Sequence, residues 1–227
     1  MTAGGGSLVE QAVRRVRAHI RDHDLKVGDT LPGEGQFATE LGVSRAVMRE
    51  AFGALAALKL IDVGNGRRAR VGAMDGSVMG ASLDHAVATA QVSLPEVWDV
   101  RATLERRTVA LAAARREPGD AVEIVAAAAA LAAAGDDLDA LTRADIRFHQ
   151  AIARASGNIL FLQIIRSFEP LMRVAVPSAW RTRVTDEERR AMLACHATLA
   201  DAIARRDTDA AIAALDQHFS ASIGALL

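Results

Sequence analysis

The sequence predicts a mainly α-helical chain in three parts. A winged helix-turn-helix covers residues 1–72, a linker with a connecting helix covers 73–93, and an all-α bundle of about six or seven helices covers 94–227. Three observations lead there. Apolar residues make up 51% of the 227 positions, yet aromatics make up 4% and Tyr is absent. Ala dominates that apolar fraction, and Ala loses no side-chain entropy in a helix. A Gly-turned hairpin signal closes the first third, directly after two helical segments. Beyond residue 93, helical periodicity alternates with breaks, and no period-2 run is long enough for a strand.

The first helix reads from "SLVEQAVRRVRAHIRDHD". Leu8, Val9, Ala12, Val13, Val16 and Ile20 recur at helical spacing, with Arg14, Arg15, Arg17 and Arg21 largely on the other faces. Ser7 is the expected N-cap. "KVGDTLPGEGQ" is dense in Gly and Pro and breaks that helix. "EGQFATELGV" reads as a short helix stopped by Gly42. Ser44 then caps a third helix whose apolar set is Val47, Phe52, Leu55 and Leu58. Two short helices around a tight Gly-containing turn form a helix-turn-helix. Ser44, Arg45 and Arg49 lie in the first turns of the second of these helices, on a face its apolar set leaves free, and such an end suits the DNA major groove. "IDVGNGRRARVG" follows as a hairpin that turns at Gly64-Asn65-Gly66 and returns with Arg67, Arg68 and Arg70, a wing able to reach phosphates or the minor groove. The plainer alternative is a three-helix lobe with solvated arginines.

In the last two thirds, breaks fall at Glu117-Pro118-Gly119-Asp120, at Gly135-Asp136-Asp137, at Ser156-Gly157-Asn158, near Pro177 and around Arg206-Asp207. Six His residues occur in the chain. His19 and His23 read as solvated, and His85 is assigned no role. Asp145 and His149 are i and i+4, which places them on one helix face about 6 Å apart at Cβ. An ordinary helical salt bridge is the alternative for that pair. His196 and His218 lie on successive helices about equally far from the turn at Arg206-Asp207, so antiparallel packing makes them neighbours. Three neutral imidazoles and a carboxylate suit a divalent ion such as Zn or Ni.

Charge is uneven: +3 over residues 1–72 and −4 over the rest, for a net −1. A basic first third ahead of an acidic remainder points to two parts with different partners. The single Cys195 excludes an intrachain disulfide and fits a reducing compartment. "MTAGGGSLVEQ" lacks the pattern of a signal peptide, and no stretch reaches the ~18 apolar residues of a membrane span. The expectation is a cytoplasmic protein with no membrane partner.

"LPGEGQFATELGVSRAVMREAFGALAALKLIDVGNGRRARV" resembles the winged helix-turn-helix of the GntR superfamily of bacterial transcription regulators. The likeness rests on Leu31-Pro32-Gly33-Glu34, Leu41-Gly42-Val43-Ser44-Arg45, Arg49-Glu50-Ala51, and Gly64-Asn65-Gly66 leading to Val71. It implies DNA contacts from Glu34, Ser44, Arg45, Arg49, Asn65, Gly66, Arg67, Arg68 and Arg70. Two positions depart from the family pattern. Gly35 stands where a polar residue or Arg usually helps grip DNA, and Lys59 replaces the usual Gly before the wing strand. "EVWDVRATLERRTVALAA", "ADIRFHQAIARASGNILFLQII", "HATLADAIARRD" and "DQHFSASI" are similar to the FCD effector-binding domain of the FadR-like branch. This second resemblance implies metal ligands at Asp145, His149, His196 and His218, and an effector carboxylate at Arg101. Glu105, one turn after Arg101, is a second candidate for the effector pocket.

The expected function is therefore a homodimeric DNA-binding transcription regulator on a near-palindromic operator. A small organic acid at the metal site would control operator affinity, with repression relieved by ligand as the family's commoner outcome. Two alternatives differ in kind: a regulator for which the metal itself is the signal, and a metal-dependent hydrolase or isomerase carrying a DNA-binding lobe. The chain has no phosphate-cradling Gly-rich loop, no Gly-x-Ser-x-Gly and no His-Glu-x-x-His, so no enzyme motif supports the last. Sugar acids, hydroxy acids and dicarboxylates all fit as effectors.

Overall fold

The computed structural model describes residues 6–64 and 66–223. Asn65, one of the expected wing contacts, lies outside the described residues. The chain divides into two compact units, Met1–Val78 and Met79–Leu227.

In the first unit, α1 (Leu8–Asp22) starts with a reciprocal cap: Ser7 Oγ accepts from the Glu10 N–H, and the Glu10 carboxylate accepts from the Ser7 N–H. α2 (Glu34–Leu41) ends at Gly42, whose φ of 65° is left-handed and open to a residue without Cβ. α3 (Arg45–Ala57) is capped by Ser44, whose Oγ accepts from the Val47 N–H at 3.2 Å. The expected apolar set of α3 needs correction. Met48, Ala51, Phe52 and Leu55 are buried, whereas Val47 is half-buried and Leu58 is exposed. Leu58 is the C-cap, so its side chain has left the buried stripe. β1 (Ile61–Gly64) and β2 (Arg67–Val71) pair antiparallel, Ile61 opposite Val71 and Asp62 opposite Arg70, with a register irregularity between Asp62 and Gly64. Ala69 faces the core and its carbonyl accepts from the Leu31 N–H at 2.8 Å, which ties the wing to the strand-like segment before α2. Ala12, Val16, Phe37, Met48 and Leu55 fill the centre of this unit. Each large apolar side chain buried there contributes roughly 1.5–3 kcal/mol.

The second unit contains seven bundle helices among the described residues: α5 (Leu94–Arg115), α6 (Pro118–Ala133), α7 (Leu138–Ala155), α8 (Ile159–Ser167), α9 (Glu169–Thr182), α10 (Asp186–Ala204) and α11 (Thr208–Ile223). A connecting helix, α4 (Ser77–Ala88), precedes them. α5 packs on α7 and α11, α6 packs on α7 and α10, and α10 packs on α11. Their inner faces meet in one core that includes Val109, Ile124, Phe148, Leu199 and Leu215. Four expected breaks coincide with helix ends. The fifth does not, because Pro177 lies inside α9. Proline removes the donor that would meet the Arg173 carbonyl, and Arg173 is exposed, so water can take that bond. The break in this segment is instead at Phe168, ahead of Pro170 near the start of α9, where a missing N–H leaves no bond unmade.

Candidate metal centre and nucleic-acid interface

The first turns of α3 present Ser44, Arg45 and Arg49 on the exposed surface. The Ser44 oxygen accepts in the cap, which leaves its O–H and the two guanidinium groups as donors at this end. Glu34, at the first position of α2, lies 3.8 Å from Arg49 Nε and is half-buried. In that place it orients Arg49. The departure at Gly35 has a structural counterpart, because the Arg45 guanidinium lies 3.7–3.8 Å from where a Cβ at Gly35 would stand. On the wing, Gly66 adopts φ 71°, and Arg67, Arg68 and Arg70 are exposed. Arg67 Nη2 donates to Asp62 at 2.9 Å and Arg70 leans on the Gly28 carbonyl at 3.5 Å. Arg68 makes no ion pair among the described residues.

Inside the bundle, α7, α10 and α11 bring together Asp145, His149, His196 and His218, all buried. One donor atom from each of the three imidazoles lies within 4.8 Å of the others. The His196 and His218 ring centroids are 4.5 Å apart, as antiparallel helices predict, and His149 and His218 are 5.2 Å apart. Asp145 Oδ1 lies 3.3 Å from His196 Nε2 and 3.9 Å from His149 Nε2. Neither nitrogen makes a hydrogen bond to a protein group among the described residues.

The outward ring nitrogens explain why. His149 Nδ1 meets the Glu105 carboxylate, and His196 Nδ1 meets the Met192 carbonyl at 2.9 Å. Both partners are acceptors, so each Nδ1 is a donor and each ring turns its Nε2 inward, toward Asp145. Two buried ring nitrogens and a carboxylate oxygen thus converge on one point, beside His218. A divalent cation satisfies such a set, and outward hydrogen bonds of this kind usually orient metal-binding imidazoles. Burial, with His196 and His149 alongside, holds the His218 pKa well below its ordinary value, which keeps that ring in the neutral, metal-binding form. Burial also opposes charge on Asp145, but His196, His149 and Arg101 outweigh it and keep the carboxyl ionised far into acid.

Glu105, the second candidate for the effector pocket, is buried and held on both sides: one oxygen accepts from Arg101 Nε at 2.5 Å and the other from His149. Burial pushes its pKa up, yet Arg101 and His149 more than offset this and the net shift is downward. Arg101 is buried, with its guanidinium 5.2 Å from the Trp98 ring centroid and 5.6 Å from that of Phe219. A cavity of about 40 Å³ adjoins this group and is lined by Trp98, Arg101, Asp145, Trp180, Arg183 and His218, among others. It has room for an ion's water or a small ligand group. The sequence reading missed Trp98, Trp180 and Arg183. The only available signal for the last two was the helical spacing between them, and a break at Pro177 obscured it.

Residues 8–71 match the family described as bacterial regulatory proteins, gntR family, and residues 96–221 match the FCD domain. The chain is 31% identical over 218 residues to a putative L-lactate dehydrogenase operon regulatory protein of Escherichia coli (strain K12), covering 94% of this chain and 84% of that protein. It is 31% identical over 170 residues to the Glc operon transcriptional activator of the same strain, covering 73% and 66%. It is 28% identical over 217 residues to the HTH-type transcriptional repressor NanR of Salmonella newport (strain SL254), covering 94% and 83%. Among solved structures, Streptococcus agalactiae GntR shares the fold with a TM-score of 0.65 at 24% identity, over 94% of this chain and 97% of that one. These named relatives are transcription regulators, and no helix among the described residues is long and apolar enough to cross a membrane. With both halves matched and a helical bundle behind a winged helix-turn-helix, the chain belongs to the GntR family of DNA-binding transcription regulators, in the FadR-like branch that carries a C-terminal FCD domain.

Proposed function

We propose that this regulator senses a small organic acid at a divalent metal ion, Zn or Ni, held by Asp145, His149, His196 and His218. The convergence of three buried imidazole donor atoms within 4.8 Å carries the reading. The bound cation would supply a Lewis-acid anchor for one carboxylate of the ligand. Asp145 and the imidazoles fix that anchor, Glu105 orients His149 and Arg101 together, and Arg101 offers its Nη2 to the ligand. The name of one relative, a putative L-lactate dehydrogenase operon regulatory protein, accords with a small organic acid as the ligand. One relative is an activator and another a repressor; repression relieved by ligand is the outcome proposed for this chain.

On DNA, a homodimer would place the two α3 helices in successive major grooves of a near-palindromic operator, because protein and site share two-fold symmetry. Arg45 and Arg49 then meet base edges or phosphates, and Arg67, Arg68 and Arg70 grip from the wing. An acid that binds one arrangement of the protein better than the other shifts the population and with it operator affinity. The test is an operator titration of metal-loaded protein across a panel of small carboxylates. A member of the panel should shift the curve for wild type and not for Arg101→Ala. A curve that responds to metal alone, with no acid changing it, supports the metal-sensor reading instead.

A further inference from the structure

The cavity beside His196 and His218 has a mouth of defined composition. Of the side chains that line it, only Val176, Arg183 and Met192 are not buried, so the opening to solvent lies among those three. Arg183 is the charged one. It is the C-cap of α9, and its Nη1 donates to the Ala179 carbonyl. No carboxylate among the described residues lies within ion-pair distance of it. Half-burial disfavours its charge, and Asp145 and Glu188 support that charge only from further off. Deeper in, Arg101 is committed through Nε to Glu105 and through Nη1 to Met172, which leaves Nη2. Trp98 lines the same wall, and its buried Nε1–H has no acceptor among the described residues. The cavity is thus rich in donors, with Asp145 as its carboxylate.

A charge count sharpens the point. With neutral imidazoles, Arg101 and Arg183 balance Glu105 and Asp145, and a divalent ion then adds two positive charges. Charge held out of water is expensive unless paired. A monocarboxylate leaves one positive charge over and Arg183 without a partner, whereas a dianion settles both.

Resting on the metal-anchored reading above, we propose that the acid recognised here is a short dianion. One carboxylate lies toward the metal ligands and Arg101, and a second anionic group lies on Arg183 at the mouth. Arg183 is then the residue that selects dianions over monoanions of equal length, and the unpaired Trp98 N–H is an added donor to the deeper carboxylate.

The experiment is calorimetric titration of the Zn-loaded full-length protein, freed of excess Zn, with matched pairs: succinate against butanoate and malonate against propanoate, at one ionic strength. Wild type should bind the dianion of a pair at least about tenfold more tightly. Arg183→Gln should bring the pair to parity while Zn stoichiometry stays unchanged. Arg183→Lys, which keeps the charge and loses the two-pronged fork, should retain an intermediate preference, and it decides the matter if the Gln variant does not fold. Parity in wild type overturns the proposal, as does a dianion preference that survives Arg183→Gln. Monoanion binding that depends on Arg101 but shows no dianion preference removes the role of Arg183 alone. If neither acid of any pair binds, the effector site falls with it.

Discussion

At the scale of single residues, polar side chains here act through what they hold. Glu105 spends both oxygens, one on Arg101 and one on His149. It therefore joins a ring of the proposed metal site to the guanidinium proposed to meet the ligand. Outward partners of metal-bound imidazoles are typically worth 10- to 100-fold in metal affinity. Glu105→Gln, whose amide cannot accept from both donors with a full charge, should weaken Zn binding by about that range in a competition titration with a chromophoric chelator. An unchanged affinity means that the Glu105–His149 contact does not tune the site. Lys59 makes a second argument. It adopts φ 57° directly after the C-cap of α3, a conformation that glycine takes without strain and that costs an L-residue about 1–2 kcal/mol. Its ion pair with Asp75 spans 3.9 Å between exposed groups and offsets little of that. Lys59→Gly should therefore stabilise the DNA-binding unit by about 1 kcal/mol in denaturant unfolding. A loss of stability would show that Lys59 contributes more by contact than it costs by conformation.

At the scale of elements, α3 and the wing carry the electrostatics of DNA binding. Arg45 and Arg49 are exposed at the start of a helix whose N-terminal dipole also favours phosphate. Arg45→Ala and Arg49→Ala should each weaken operator binding, and any residue that meets a phosphate should lower the salt-dependence slope by about one. Wild-type affinity in an anisotropy titration of both variants contradicts the placement of α3. The elements differed in how legible they were. Ser7, Gly42 and Ser44 announced the ends of α1, α2 and α3 because capping chemistry is local, so neighbouring residues suffice to read it. Asp145 and His149 were legible as a pair for the same reason, since one helix sets their spacing. The α8–α9 corner was not. Two prolines nine residues or fewer from Phe168 compete as breakers, and only packing decides that Pro170 opens a helix while Pro177 rides inside it. That misplaced break hid the turn carrying Trp180 and Arg183 toward the cavity. The bond from His149 to Glu105 joins residues 44 positions apart, and local spacing does not show it.

At the scale of the whole molecule, the second unit brings three imidazoles and a carboxylate from α7, α10 and α11 together in its interior. A fold that buries such a set is stabilised by the cation it accepts. Binding to the native state alone adds about 2.7 kcal/mol at a free ion concentration of 100 Kd. Removal of the ion with a chelator should therefore lower the thermal midpoint, and re-addition of Zn or Ni should restore it. The most direct test of the central claim is the metal content of purified protein equilibrated with Zn, compared with that of His149→Ala and His196→Ala. One ion per chain in wild type and loss of most of it in each variant is the predicted result. Wild type that holds no ion, or variants that keep one per chain, would contradict it.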